Sequence, residues 1–163
     1  MVLKISPTAR ISHLADVEDS VRGSVLEIGD GVVIDSFVKI KFSGGLGHIR
    51  IGAGCWLNSG VVIYSGNGVT LGAGVLIAAN STLAPTNHEI KERSRFIFDQ
   101  GFMPTRGGIE IHDDVWIGAN TVILDGAVIG EGAVIGAGSC VRGVIEKYAV
   151  MVGNPLRQIR TRQ

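Results

Sequence analysis

The sequence predicts an all-β fold: a parallel β-helix, a solenoid of 18-residue triangular coils. Three observations carry that prediction. First, an aliphatic residue recurs every six positions, as Ile28, Ile34, Ile40; Ile51, Leu57, Ile63; Leu71, Ile77, Leu83; and then Ile111, Ile117, Ile123, Ile129, Ile135, Val141. Second, the residue four places after each is small or β-branched, as in Val32, Val38, Cys55, Val61, Val75, Ser81, Val115 and Thr121; Asn67, Asn87 and Ile145 depart from this. Third, Gly most often follows the aliphatic residue, as at Gly29, Gly52, Gly72, Gly118, Gly130 and Gly136. Six is neither the helical period of 3.6 nor the flat-strand period of 2. It suits a short strand that buries one aliphatic side chain and then turns a corner at a small residue.

Taken in order, a weaker coil begins with Ile5, Ile11 and Val17, and regular coils follow over 28–45, 51–68, 71–88, 111–128 and 129–146. Stacked at the inter-strand spacing, six coils give a prism about 29 Å tall. Residues 46–50 and 69–70 read as short register adjustments. Residues 89–110 read as a long insertion. The chain, 1–163, forms one domain with that insertion and a C-terminal tail over 147–163.

Composition excludes several classes. Fifteen Lys and Arg balance fifteen Asp and Glu, so no global charge favours nucleic acid or a membrane surface. No apolar run is long enough for a transmembrane helix and no signal-peptide pattern opens the chain, so a cytoplasmic location is expected. Cys55 and Cys140 lie three coils apart and are expected to be structural, not a disulfide or metal pair. A zinc site built on three histidines is disfavoured, because His88 and His112 are far apart and no His-x4-His occurs. No metal is expected.

A solenoid carries function where its repeat breaks. The insertion mixes Glu89, Lys91, Glu92, Arg93, Arg95, Asp99 and Arg106 with Phe96, Phe98, Phe102, Met103 and Pro104, which suits a lid or an interface. His88 stands at its mouth, after Asn87, and is the candidate base; His13, His48 and His112 are expected to be structural or solvated. Asn58 and Tyr64 occupy exposed slots one coil earlier and could hydrogen-bond an acceptor, as could Asn87.

The stretches Ile-Gly-Ala-Gly-Cys-Trp at 51–56 and Ile-Gly-Glu-Gly-Ala-Val at 129–134 resemble the hexapeptide repeat of the left-handed β-helix acyltransferases. The resemblance covers about 5–157 and implies the left hand, an exception to the general preference for right-handed crossovers. Thr-Leu-Ala-Pro-Thr-Asn-His at 82–88, a long loop, and Trp116-Ile117-Gly118 resemble the galactoside and maltose O-acetyltransferase branch. That resemblance implies that His88 is the general base and that Met103 closes the acceptor pocket. It implies that Trp116, Ala119 and Ala137 line the groove of acetyl-CoA, the co-substrate. Val-Gly-Asn-Pro-Leu-Arg at 152–157 resembles the family's C-terminal signature, which places Pro155 and Arg157, and Arg142 more weakly, against the nucleotide end of CoA. An arginine fork suits phosphate.

The function so implied is an acetyl-CoA-dependent O-acetyltransferase acting on a sugar hydroxyl in surface polysaccharide synthesis. Its acceptor would be a carbohydrate, as a nucleotide-linked or lipid-linked sugar. The family's homotrimers, with active sites between subunits, are expected here as well. An N-acetyltransferase on an amino sugar uses the same residues, and a non-catalytic scaffold on the same prism is the alternative from another class. A sugar nucleotidyltransferase is disfavoured, since no separate nucleotide-binding domain precedes the coils.

Overall fold

A computed structural model describes residues 2–19 and 23–163. The first coil runs through β1 (Val2–Ile5), β2 (Arg10–Ile11) and β3 (Asp16–Val17). The second has β4 (Val25–Ile28), β5 (Val33–Ile34) and β6 (Lys39–Lys41). The third has β7 (Ile49–Ile51), β8 (Trp56–Leu57) and β9 (Val62–Tyr64). The fourth has β10 (Val69–Leu71), β11 (Leu76–Ile77) and β12 (Thr82–Ala84). After the insertion, the fifth has β13 (Ile109–Ile111), β14 (Trp116–Ile117) and β15 (Val122–Leu124), and the sixth β16 (Ala127–Ile129), β17 (Val134–Ile135) and β18 (Cys140–Val141).

Strands at equal places in successive coils stack in parallel and form the three walls of the prism. Sheet A takes the first strand of each coil, sheet B the second and sheet C the third. The register follows the six-residue period: Ile28, Ile51, Leu71, Ile111 and Ile129 pair in one column. All fifteen predicted aliphatic positions are 2% exposed or less. Each such side chain contributes about 1.5–3 kcal/mol by leaving water.

The glycine after the aliphatic residue has a different role from the one its position suggests. Gly118 carries no positive φ; a Cβ there would stand 2.5 Å from the backbone nitrogen of Ala137 in the coil above. The left-handed turn falls two residues later, at Gly54 (φ 68) or Asn120 (φ 56), where Gly and Asn tolerate it best.

Three boundaries differ from the sequence reading. Residues 49–50 and 69–70 are not linkers: Ile49 and Val69 point into the core two places before Ile51 and Leu71, because sheet A strands there bury two residues each. Ile109 does the same, so β13 starts inside the predicted insertion, which runs from the end of β12 to Gly108. Ile145 does not break a small-residue slot. The corner is shortened to Arg142 and Gly143, and Ile145 enters sheet A opposite Ile129, opening a seventh, partial coil. That coil holds β19 (Val144–Ile145) and β20 (Ala149–Val152), and the tail then folds back through a cis Asn154–Pro155 bond into β21 (Arg157–Thr161), antiparallel to β20.

The outer walls differ in chemistry. On sheet A, Lys4, Glu27 and Arg50 form an exposed ion-paired row, with contacts of 2.8 and 3.0 Å. On sheet B the outward column is Val33, Trp56, Leu76, Trp116 and Val134. Trp56, Leu76 and Trp116 are each more than two-fifths exposed.

Candidate active site

His88 leaves coil 4 at the corner between sheets C and A. Thr86, two residues earlier, donates its hydroxyl to the carbonyl of Gly44 at 3.1 Å and ties the segment to coil 2. The insertion then returns antiparallel to its own root. Met103 N–H donates to Asn87 O at 2.8 Å, Glu89 N–H donates to Gly101 O at 3.0 Å, and His88 bridges to Phe102. The imidazole packs on the Phe102 ring with centroids 4.9 Å apart and planes tilted by 40°.

A pocket of about 390 Å³ opens here, lined by Ser43, Gly44, Tyr64, Ala84, Pro85, Thr86, His88 and Phe102. Two predicted residues, His88 and Tyr64, therefore share one cavity. Asn87 and Met103 are joined beside it by their backbones. Asn58 is not brought there: it lies at the corner between sheets B and C, where its Nδ2 donates to Ile77 O at 3.0 Å. Glu89 turns away as well. Its carboxylate accepts from Ile90 N–H at 2.9 Å and Lys91 N–H at 3.2 Å. Those donors, Ile90 first, hold its pKa below the usual carboxylate value.

The far end of the insertion is fixed by a residue that sequence reasoning missed. Asp125 is 3% exposed, and its carboxylate accepts from Arg106 N–H at 2.8 Å and Gly108 N–H at 2.9 Å. An acidic residue two places after Ile123, where coils 2 to 4 carry Phe42, Ser65 and Pro85, was the available signal. The other histidines lie elsewhere. His48 Nδ1 accepts from Val25 N–H at 3.0 Å, His112 meets Glu110 at 3.2 Å, and His13 is exposed. Cys55 is buried in the core, which pushes its thiol pKa up, and both cysteines are free. Among the described residues no cluster of three metal-ligating side chains occurs.

The predicted cofactor residues gather mainly on another edge. Ala119 and Ala137 sit one above the other at the corner between sheets B and C, joined by Gly138 N–H to Ala119 O at 2.8 Å. The Gly153–Pro155 turn closes the top of that edge, with Gly153 N–H bound to Ser139 Oγ at 2.9 Å. Arg157 opens β21 beside it and is exposed. Trp116 stands on the adjoining face of sheet B, while Arg142 is on the C-to-A corner, a different edge. Corner amides at equivalent positions hold anionic oxygens elsewhere in this chain: Ser36 N–H meets Asp35 Oδ1, and Ala73 N–H meets Asp113 Oδ1, each at 2.7 Å. Before Ala119 and Ala137 stand Gly118 and Gly136, which bring no side chain, and neither alanine N–H donates to a group among the described residues.

Triangular coils, a long corner insertion carrying a histidine, and an edge of amides without partners among the described residues make this chain a parallel β-helix, and the proteins it resembles give its class. Two described families match segments of the chain: the bacterial transferase hexapeptide (six repeats) over residues 108–143 and the hexapeptide repeat of succinyl-transferase over 48–85. Galactoside O-acetyltransferase of Escherichia coli is 34% identical over 152 residues, spanning 91% of this chain and 71% of that protein. A hexapeptide-repeat-containing acetyltransferase from Vibrio cholerae, solved with acetyl coenzyme A, is 30% identical with a TM-score of 0.70, covering 83% of this chain and 70% of that one. A variant of AntD, an N-acyltransferase from Bacillus cereus solved with dTDP-4-amino-4,6-dideoxyglucose and coenzyme A, shares the fold. Its TM-score is 0.80 at 23% identity, covering 99% of this chain and 83% of that one. The chain belongs to the hexapeptide-repeat acetyltransferases, in the branch that resembles galactoside O-acetyltransferase. It is an acyltransferase with the left-handed parallel β-helix fold.

Proposed function

We propose that the protein transfers the acetyl group of acetyl-CoA to a hydroxyl of a sugar, with His88 as general base. The observation that carries this reading is His88 at the root of the insertion, opening into the cavity it shares with Tyr64. A sugar hydroxyl is a weak nucleophile until its proton is removed, and an imidazole can take that proton near neutral pH. In the forward step the acceptor oxygen forms a bond to the thioester carbonyl carbon while a ring nitrogen of His88 takes its proton. The C–S bond then breaks, and the thiolate leaves and is protonated by the imidazolium. Corner N–H groups are the available donors for the transient oxyanion.

The acceptor cavity and the amide edge lie on different corners of one prism. A site that unites them is formed between copies, and the apolar column of Trp56, Leu76 and Trp116 supplies a face for such contact. A homotrimer follows as the proposed assembly, and it is the arrangement in which Asn58, Ala119 and Ala137 of one copy can face His88 of the next. Pro155, Arg157 and Arg142 are assigned to the nucleotide end of the donor, Trp116 to the groove, and Asn58, Tyr64, Asn87 and Met103 to the acceptor. The acceptor in this reading is a cytoplasmic sugar nucleotide or lipid-linked sugar of surface polysaccharide synthesis.

A second reading has an amine as nucleophile. The fold neighbour AntD, solved with an amino-sugar nucleotide, favours considering it. Thiol release from acetyl-CoA, measured against parallel panels of neutral and amino sugars, free and nucleotide-linked, decides between them. Release dependent on neutral sugars and absent with amino sugars supports O-transfer. The reverse pattern establishes N-transfer. No release with any acceptor, together with no acetyl-CoA binding, points to the scaffold reading.

A further inference from the structure

Resting on the cofactor edge just proposed, we infer that Ser81, Thr121 and Ser139 are positioning residues that aim the corner amides of Ala119 and Ala137 at the donor. All three occupy the small slot beneath the B-to-C corner and are at most 2% exposed. In coils 2 and 3 the same slot holds Val38 and Val61. The change from methyl to hydroxyl therefore begins at the coil of His88 and continues up through the cofactor rungs.

Each hydroxyl is spent on the corner backbone. Ser81 Oγ donates to Gly118 O at 3.0 Å. Ser139 Oγ donates to Gly136 O at 2.6 Å, and Thr121 Oγ1 donates to the same carbonyl at 3.3 Å. Thr121 N–H donates back to Ser81 Oγ at 3.3 Å, and Gly153 N–H donates to Ser139 Oγ at 2.9 Å. The network thus runs inside the edge from coil 4 to the Gly153–Pro155 turn.

The consequence follows from peptide planarity. Across a trans peptide the C=O and the next N–H point in opposite directions. Among the described residues the one cis bond is Asn154–Pro155, so the Gly118–Ala119 and Gly136–Ala137 units are trans. Anchoring the two glycine carbonyls inward turns the N–H groups of Ala119 and Ala137 outward. A buried carbonyl stripped of its donor seeks water instead, and rotating it outward would carry the N–H inward. With no side chain on Gly118 or Gly136 to hold the plane, the hydroxyls below supply its inward anchor.

The test compares Thr121→Val/Ser139→Ala with wild type, with Thr121→Ser, and with Cys55→Ala. The last removes a side-chain donor to the corner carbonyl of Gly72 at the other edge. The expected result is an acetyl-CoA Kd and KM raised roughly tenfold in the double variant, with kcat at saturation and acceptor KM within about twofold. Thr121→Ser, which keeps the hydroxyl, stays near wild type, and Cys55→Ala leaves donor affinity unchanged. General loosening of the fold would instead move kcat and acceptor KM as well, and Cys55→Ala would share the effect. Unchanged donor affinity in the double variant overturns the inference. A wild type that binds no acetyl-CoA would sink the cofactor reading itself. The crystal structure of the double variant then decides separately: a rotated Gly136–Ala137 peptide upholds the positioning role and an unmoved one ends it.

Discussion

The imidazole of His88 rests on the ring of Phe102, fourteen residues further along the chain, with centroids 4.9 Å apart. The two ends of the insertion's first hairpin therefore meet at the proposed base, and the loop that covers the cavity also sets the ring's position. Replacing Phe102 with Ala removes the support while leaving every coil intact. A fall in kcat of about tenfold, with melting temperature nearly unchanged, is expected, since a small misplacement of a catalytic group costs on this scale. Steady-state kinetics beside a thermal melt checks it; a large drop in stability would assign Phe102 to the fold instead.

His88→Ala removes the proposed base outright. General-base catalysis contributes about 10²- to 10⁴-fold, so kcat should fall within that range while acetyl-CoA still binds. Calorimetry with the donor and thiol release with the acceptor separate the two effects. Full activity in the variant would dismiss His88.

Asp125→Ala leaves the N–H groups of Arg106 and Gly108 without their acceptor. The expected cost is about 1–3 kcal/mol, the range for a buried unsatisfied donor. The loop should then be cut faster by protease between 89 and 108, with the coils still protected. Cleavage no faster than in wild type would show that the carboxylate is dispensable as a clamp.

Gly118→Ala puts a methyl against the backbone of coil 6. Over-packing of this kind costs about 1–3 kcal/mol. Gly54→Ala meets nothing nearby but keeps φ at 68°, so about 1 kcal/mol of backbone strain is expected instead. Denaturant titration of both ranks them, and a harmless Gly118→Ala would contradict the tight stacking of that corner.

Glu89 gives a pH dependence at the root of the insertion. Its folded pKa lies below the ordinary value, chiefly through the Ile90 N–H. Its contribution to loop order is therefore full above the ordinary carboxylate range and is lost as pH falls through the lower, folded value. A carbon-detected NMR titration of the Glu89 carboxyl should show the depressed midpoint, and Glu89→Gln should abolish the acid-side change in loop protection. A midpoint at or above the ordinary value would contradict the hydrogen bonds that hold the carboxylate.

The walls of the prism were legible because each aliphatic side chain must face one narrow interior, and a period of six admits no other regular solution. What the period hid was local: Ile49, Val69 and Ile109 bury a second residue per strand, and Ile145 comes four places after Val141 instead of six. Both alter the phase of the pattern without changing its chemistry. The place of His88 at the root of the insertion was legible because it sits where the repeat stops. Asp125 and the ring of Phe102 were not, since their partners are backbone groups and a loop whose path no period describes. The hydroxyls of Ser81, Thr121 and Ser139 passed as merely small residues, because a sequence gives side-chain size more readily than the direction of the carbonyl it will meet.

The pairing of Val69 with Ile109 has a consequence for how such a chain can change. Coils 4 and 5 stack as any two neighbours do, although the chain leaves the prism after β12 and rejoins it at β13. The insertion thus adds no offset to the rungs above or below it. Its length and sequence can be exchanged as a cassette while the rungs keep their alignment, and on the proposed assignment such an exchange alters which acceptor is admitted without disturbing the donor edge. Diversification of one substrate is thereby uncoupled from retention of the other.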